Sequence, residues 1–405
     1  MGQDTTLSLF KLKETGMKKT ILKAYKYRMY PTPEEVVFLN KTFGCCRFVY
    51  NYFLAEKQRC FKEEKKSLSH SECSKKLPEL KKEFPWLQEV PSVTLQQSLL
   101  HLNTAFRKFY KKEARFPKAK KKRADQSASF MKNAFTYEKG KLTLAKMKKP
   151  LDVIYSRKFQ NQPSSLSISK SSSGKFYVSF LVEEEIETLR RVDQTVGVDL
   201  GLTHAFVTSD GDKQEPCKAL KKSLKKLRRK QKDLSKKKKG SANRTKAKKK
   251  VALVHEKVRN QRLDAIHKTT HKLVSENQAI CVEDLSVKNL MKNKKLARGI
   301  SDAGWGTFLR ILEYKSDWYG REFVQVDRFF PSSKTCHCCK KIYEALSLKE
   351  RAWVCLECEA LHDRDINAAQ NIKEEGLRIL GWSTVGHTGF KVCGADVRPM
   401  WQTTG

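Results

Sequence analysis

Four cysteines constrain this chain more tightly than any other feature: Cys336 and Cys339, then fifteen residues, then Cys355 and Cys358. Two Cys-x-x-Cys loops at that separation offer four thiolates to one tetrahedral ion, with the intervening segment folded back as a hairpin, so the stretch is expected to close around a structural zinc. Four sulfurs leave no open position, and such an ion does not activate water. Cys338 gives the string CHCC a second frame. The two-residue spacer favours Cys336 with Cys339, which leaves Cys338 spare and His337 a bystander. The chain has twelve cysteines, and their crowding here points to metal rather than disulfides, hence to a reducing compartment.

The charge balance points to a partner. Lys plus Arg number 83 against 44 for Asp plus Glu, a formal net charge of +39, and the natural counter-charge is nucleic acid. A hydrophobic fraction of 39% with 10% aromatics is too high for a disordered basic tail, and 405 residues allow two or three domains. No apolar run approaches the ~18 residues that span a bilayer, and the charged N-terminus lacks a signal core. The expectation is a cytoplasmic protein, nucleoid-associated when acting, with no membrane partner. MGQDTT does fit a myristoylation pattern through Gly2 and Thr6, with nothing else in support. Met17 is an alternative start that would leave residues 1–16 as a tail.

Texture divides the chain. KAYKYRMY, Lys23 to Tyr30, alternates basic with aromatic or apolar residues and predicts a half-buried strand. Thr32, Pro33 and Glu35 form a capping box, and Val36, Leu39, Phe43, Cys46, Tyr50 and Phe53 step as a helix; Leu95, Leu99, Leu102, Phe106 and Phe109 do the same after Pro91. RFPKAKKKR, from Arg115, is an extended cationic stretch. TYEKGKLTL, SLSIS and KFYVSFLVEE predict antiparallel strands between about 126 and 188, forming one barrel with the strand at 20–30. TVGVDLG and THAFVTSDGD read as a hairpin. Residues 218–250 hold eighteen Lys or Arg and one acid, Asp233, yet keep helical leucine spacing, which predicts two cationic helices turning near Gly240. Phosphate contact is assigned to this face, through Lys225, Arg228 and Arg229 among others. QAICVEDL is a buried strand, 301–319 a helix stopped by Gly320, FVQVDRFF a strand, and about 364–379 a last helix.

Three acids then stand out on separate elements: Asp199 inside an apolar strand, Glu283 at the end of QAICVEDL, and an acid opening the last helix. A carboxylate within an apolar strand is costly unless compensated, and converging carboxylates are what two Mg²⁺ ions need to hold both oxygens of an in-line phosphodiester displacement. The last helix offers Asp363 and Asp365. Asp365 shares a face with Ala369 and Ile372, whereas Asp363 occupies the N-cap position, so Asp365 is the expected ligand.

VGVDLG, CVEDLSVKNL, DRFFPSSKTC with its paired Cys-x-x-Cys, and HDRDINAAQNI occur in the order and spacing of the TnpB (OrfB) proteins of insertion sequences. KYRMYPT, GCCRFVYN and RFPKAKKK extend the resemblance to nearly the whole chain from about residue 17. The resemblance implies an RNA-guided DNA endonuclease related to the ancestors of type V CRISPR nucleases. Its acidic triad falls on Asp199, Glu283 and Asp365. Its partners would be a guide RNA derived from the transposon end and double- and single-stranded DNA, with sequence chosen by base pairing beside a short flanking motif. Plausible motif contacts are Tyr52, Gln97, Arg115 and Lys118. Cys338 and Lys340, the latter where the family often has Gly, are departures.

The implied fold is multidomain α+β and α/β: an RNase H-like (RuvC-like) nuclease core with an inserted zinc ribbon, plus a wedge β-barrel interrupted by a helical recognition domain. The expected boundaries are a tail at 1–16, wedge at 17–32 and 126–192, recognition domain at 33–125, nuclease at 193–330 and 361–382, with the basic helical hairpin at 218–275. The ribbon takes 331–360 and a tail 383–405. Two rivals are a nuclease-inactive RNA-guided repressor, against which the intact triad argues, and an RNase H-like DNA-strand transferase, against which the guide-binding architecture argues.

Overall fold

Alternating basic and aromatic residues make Lys18–Met29 (β1) a strand whose inner face buries Ile21, Tyr25, Tyr27 and Met29. The computed structural model describes residues 17–122, 125–347 and 350–382. The myristoylation pattern and both expected tails lie outside them. The described residues divide into two units, 20–185 with 237–253, and 17–19 with 186–236 and 254–382.

In the first unit, Pro33–Glu64 (α1) starts on the expected capping box. Thr32 Oγ1 accepts from Glu35 N at 3.4 Å, and the Glu35 carboxylate accepts from Thr32 N at 2.8 Å. Leu39, Phe43, Cys46, Tyr50 and Phe53 are buried along it. His70–Glu83 (α2), which the sequence reading did not single out, follows a second capping box at Ser69 and Glu72 and contains Pro78. Ser92–Tyr110 (α3) buries Leu95, Leu99, Leu102 and Phe106 as expected. The strands are Gln126–Met131 (β2), Phe135–Glu138 (β3), Lys141–Leu144 (β4), Val153–Ile154 (β5), Ser165–Lys170 (β6) and Phe176–Glu187 (β7). β1 joins this sheet across the helical insertion, in the order β2-β6-β7-β1-β5.

The expected closed wedge barrel is not formed among the described residues. The five-stranded sheet stays open, with β3 and β4 as a separate hairpin. β5 is two residues long, too short an edge to carry a ladder round to β2, and the hairpin and helices enclose the core instead. Leu142, Leu144 and Phe135 join Phe130, Ile168, Val178 and Phe180 in one apolar cluster with the helical residues.

The second unit begins with Thr195–Asp199 (β8), Phe206–Thr208 (β9) and Lys213–Gln214 (β10). β8 and β9 pair antiparallel as expected, while the Asp-Gly turn joins β9 to a short third strand. Ala219–Ser235 (α4) and Ala242–Glu276 (α5) are the two cationic helices, separated near Gly240, and α5 up to Leu253 belongs to the first unit. Ala279–Glu283 (β11), Val287–Leu290 (α6), Ala297–Ala303 (α7), Trp305–Tyr319 (α8) and Glu322–Val326 (β12) follow. The helix expected over 301–319 is two helices, split at Gly304, whose φ of 73° ends α7. Ala352–Val354 (β13) and Leu361–Asp363 (β14) pair as a hairpin before Arg364–Ile379 (α9).

The sheet order is β10-β9-β8-β11-β12, with β8, β11 and β12 parallel. Alternation sends Val196, Val198, Ile280 and Val282 to one face, against Ile266, Leu273, Phe308 and Leu312. The other face carries α9, and there the side chains shrink. A Cβ on Gly197 would lie 1.9 Å from Ala369 O and 2.7 Å from Lys373 N, and one on Gly376 would lie 2.3 Å from Cys281 Sγ. Helix and strands therefore meet backbone to backbone. Gly197→Ala is expected to destabilise this unit by about 3 kcal/mol or more, since an overpacked backbone contact has no rotamer to relieve it; an unchanged thermal midpoint would show the helix free to shift.

Candidate active site and metal centre

Parallel register brings the first two acids together. Val198 pairs with Val282, so Asp199 and Glu283 follow side by side at the C-terminal ends of adjacent strands, the edge at which open α/β sheets bind ligands. Asp365 lies in the first turn of α9, one turn before the Ala369 carbonyl that rests on Gly197. All three are half-buried.

Their electrostatics reflect crowding. Burial first, then Asp365 and Glu283, push the Asp199 carboxyl up to about 7, while Arg364 and Arg351 pull the other way. Burial and then Asp284 raise Glu283. Asp365 is paired with Arg351 at 3.1 Å. An excess of carboxylate in a poorly solvated place suits a hard cation with oxygen ligands.

Asp363 is the N-cap, as expected: Oδ1 accepts from Asp365 N at 3.0 Å and Ile366 N at 3.1 Å, and Oδ2 from Lys213 Nζ at 2.6 Å. Both its oxygens are engaged, and the acid of this helix whose charge raises Asp199 is Asp365. Asp284 is likewise taken, by Arg328.

The cysteines converge. Donor atoms of Cys336, Cys339, Cys355 and Cys358 all lie within 4.8 Å of one another, with Cys336 Sγ 3.6 Å from Cys358 Sγ and Cys339 Sγ 3.6 Å from Cys355 Sγ. Each knuckle is a tight turn: Lys340 N donates to Cys336 O and Glu359 N to Cys355 O, both at 2.9 Å. The residue closing each turn has positive φ, 63° at Lys340 and 57° at Glu359. That explains why glycine would suit position 340. This set of four sulfurs could hold a metal ion.

The sequence reading missed what ties this ribbon to the acid-bearing helix. Asn367 and Asn371, buried one turn apart on α9, grip the first knuckle: Asn367 Oδ1 accepts from His337 N at 2.9 Å, Asn367 Nδ2 donates to Thr335 O at 2.8 Å, and Asn371 Nδ2 to Ser332 O and Thr335 O at 2.9 and 2.7 Å. The i, i+4 spacing in NAAQN was the available signal. Arg351 had none, since its partner is fixed by the ribbon hairpin.

The expected nucleic-acid contacts are less organised. Lys225, Arg228 and Arg229 are exposed along α4, whose Leu227 is buried. In the other unit, Arg115 and Lys118 are exposed on an extended segment that Asn51 pins by two hydrogen bonds to the Lys120 backbone, 2.7 and 3.0 Å. Tyr52 is half-buried, its ring 6.0 Å from that of Phe48 and 5.3 Å from that of Phe53, and Gln97 is half-buried on α3.

Three family matches cover parts of the chain: OrfB of IS605 elements, "Probable transposase", over residues 179–294; "Cas12f1-like, TNB domain" over 305–372; and the OrfB "Helix-turn-helix domain" over 17–66, here β1 and all of α1. A Streptomyces pristinaespiralis protein named "Putative RNA-guided DNA endonuclease" is 42% identical over 96% of this chain and 95% of its own length. An Escherichia coli K12 protein of the same description, InsQ, is 30% identical over 91% of this chain and 96% of its own. A Cas12f1 chain solved in complex with sgRNA and target DNA shares the fold at a TM-score of 0.56, with 14% identity over 87% of this chain and 99% of that one. The chain belongs to the TnpB-like (OrfB) family.

A carboxyl raised from 3.8 to about 7 on folding holds its proton more tightly in the native state. Its ionisation therefore costs native stability progressively from about pH 4 to pH 7, and fully above that. In magnesium-free buffer Asp199→Asn is expected to raise the melting temperature at pH 8 and not at pH 4, with a ceiling of about 4 kcal/mol at ~1.4 kcal/mol per pH unit. Equal shifts at both values would contradict the crowding.

Proposed function

We propose that this chain is an RNA-guided DNA endonuclease that hydrolyses a phosphodiester bond at Asp199, Glu283 and Asp365, beside a short flanking motif. One observation carries the reading: a chain matched almost end to end by relatives named for that activity keeps two carboxylates side by side at strand ends and a third, on α9, close enough to raise Asp199. A sheet ordered 3-2-1-4-5 from β8, with acids at the ends of its first and fourth strands, supports an RNase H-like core. No helix among the described residues is long and apolar enough to cross a membrane, and the site of action is DNA in the nucleoid.

Asp199 and Glu283 are held by the sheet and Asp365 by α9, and each would offer oxygens to Mg²⁺. Bound magnesium would supply charge stabilisation at the phosphate and a lowered pKa for the attacking water. The crowded carboxylates bring the negative charge that attracts it, and Arg351 neutralises Asp365 until it does. Cys336, Cys339, Cys355 and Cys358 hold zinc, whose role is to fix the ribbon on α9 through Asn367 and Asn371. The cations of α4, including Lys225, Arg228 and Arg229, hold the backbone of a guide RNA transcribed from the transposon end, while pairing supplies sequence choice. Tyr52, Gln97, Arg115 and Lys118 belong to a surface that reads the flanking motif. The repressor alternative loses its ground, because the acids such a protein could dispense with are all present.

With its guide RNA and Mg²⁺, the protein is expected to cut where the guide matches, and replacing the guide segment should move the cut. Cutting at unchanged positions would sink the guided reading, and guided binding without a cut would favour the repressor. Asp199→Ala, Glu283→Ala and Asp365→Ala should each abolish cleavage, while RNA retention in a filter-binding assay stays near wild type. Metal analysis should find about one zinc per chain. Cys336→Ser should lose it along with ribbon stability, since structural zinc binding is coupled to folding.

A further inference from the structure

The ribbon contains a second group of soft donors. Cys336 Sγ lies 3.1 Å from His362 Nε2, and Cys338 completes a trio whose donor atoms all lie within 4.8 Å of one another. The trio sits on built structure. Cys336 is 0% and His362 7% exposed, the His362 ring packs 4.8 Å from that of Trp353, and β14 holds it opposite Trp353 in the hairpin. Cys338 is half-exposed, and Cys339 and Cys358, which belong to the four-sulfur group alone, are exposed.

Two cysteines and a histidine with an open fourth position form a donor set that zinc accepts. The two groups share Cys336, and their other members in that knuckle, Cys338 and Cys339, are adjacent in the chain. We propose that the ribbon carries two overlapping metal frames, a closed one of four thiolates and an open one of Cys336, Cys338 and His362 that takes the same divalent zinc-class ion when Cys339 or Cys358 is not bound to it. The inference rests on the zinc reading above. A single ion uses one frame or the other. The open frame has a position for an incoming or departing ligand, which a closed four-sulfur shell lacks, and so it provides a route for metal exchange. If His362 only donated a hydrogen bond to the Cys336 sulfur, Cys338 would have no bearing on the metal.

Full-length Cys339→Ser decides between these. It is expected to retain about one zinc per chain, and its Co²⁺-substituted form should show d–d bands moved to higher energy as an imidazole nitrogen replaces sulfur. Adding Cys338→Ser, a mild change at a half-exposed site, should then remove the ion, as should adding His362→Gln. Loss of zinc from folded Cys339→Ser, or its retention after Cys338→Ser is added, overturns the proposal, as do two zinc ions in the wild type. Should Cys339→Ser fail to fold, zinc release to a chelator from otherwise wild-type protein is the second measurement. Cys338→Ser should slow release, and an unchanged rate overturns the exchange route. A wild-type chain without zinc would instead sink the four-thiolate reading itself.

Discussion

The approach of α9 to β8 and β11 at backbone distance is the constraint on which the acid cluster depends. A helix seated on ordinary side chains stands well off its sheet and can slide as they change rotamer. Here Gly197 lies under Ala369 and Lys373, and Gly376 meets Cys281, with no room for a Cβ at either. The contact fixes both height and register of the helix, so a carboxylate in its first turn comes over the ends of two strands whose own acids are placed by parallel pairing. Three groups far apart in sequence thus meet without a flexible loop between any of them and the core.

Much of this was legible in the sequence, where local rules and tertiary packing agree. The Thr32 capping box, the stop at Gly320, the bounds of the last helix and the N-cap at Asp363 all follow from short-range backbone chemistry. So did the separation of Asp363 from Asp365, because an N-cap spends its oxygen on amides while a residue two further on is free to face the sheet. Legibility failed where geometry is non-local or where one residue misleads. Gly304 cut a continuous helical pattern in two. The barrel failed because nothing in the composition shows that β5 runs for two residues only. The closeness demanded of Gly197 becomes visible only once the register with α9 is known.

The charge of the chain and the charge of the site have opposite signs. Against a formal +39, the acid cluster is a small, crowded pocket of negative potential whose ionisation burial already resists. On the proposed function a phosphate approaches carboxylates that repel it, and a cation between the two would resolve the conflict. The raised carboxyl of Asp199 and the Arg351 partner of Asp365 are two partial answers the protein supplies by itself. Neither can serve once a phosphate must approach.

Arg351 also shows why the ribbon belongs mechanically to the site. It leaves the ribbon hairpin beside β13, whose partner strand β14 runs directly into the N-cap of α9. Asn367 and Asn371 bind the first knuckle to the same helix. Loss of metal from the ribbon would therefore loosen the first turn of α9 from two sides, through the strand that feeds it and through the asparagines that brace it. Asp365 is the acid that would move, whereas Asp199 and Glu283, anchored in paired strands, would stay. On the proposed function, the four cysteines would bear on catalysis by holding one carboxylate of three in place.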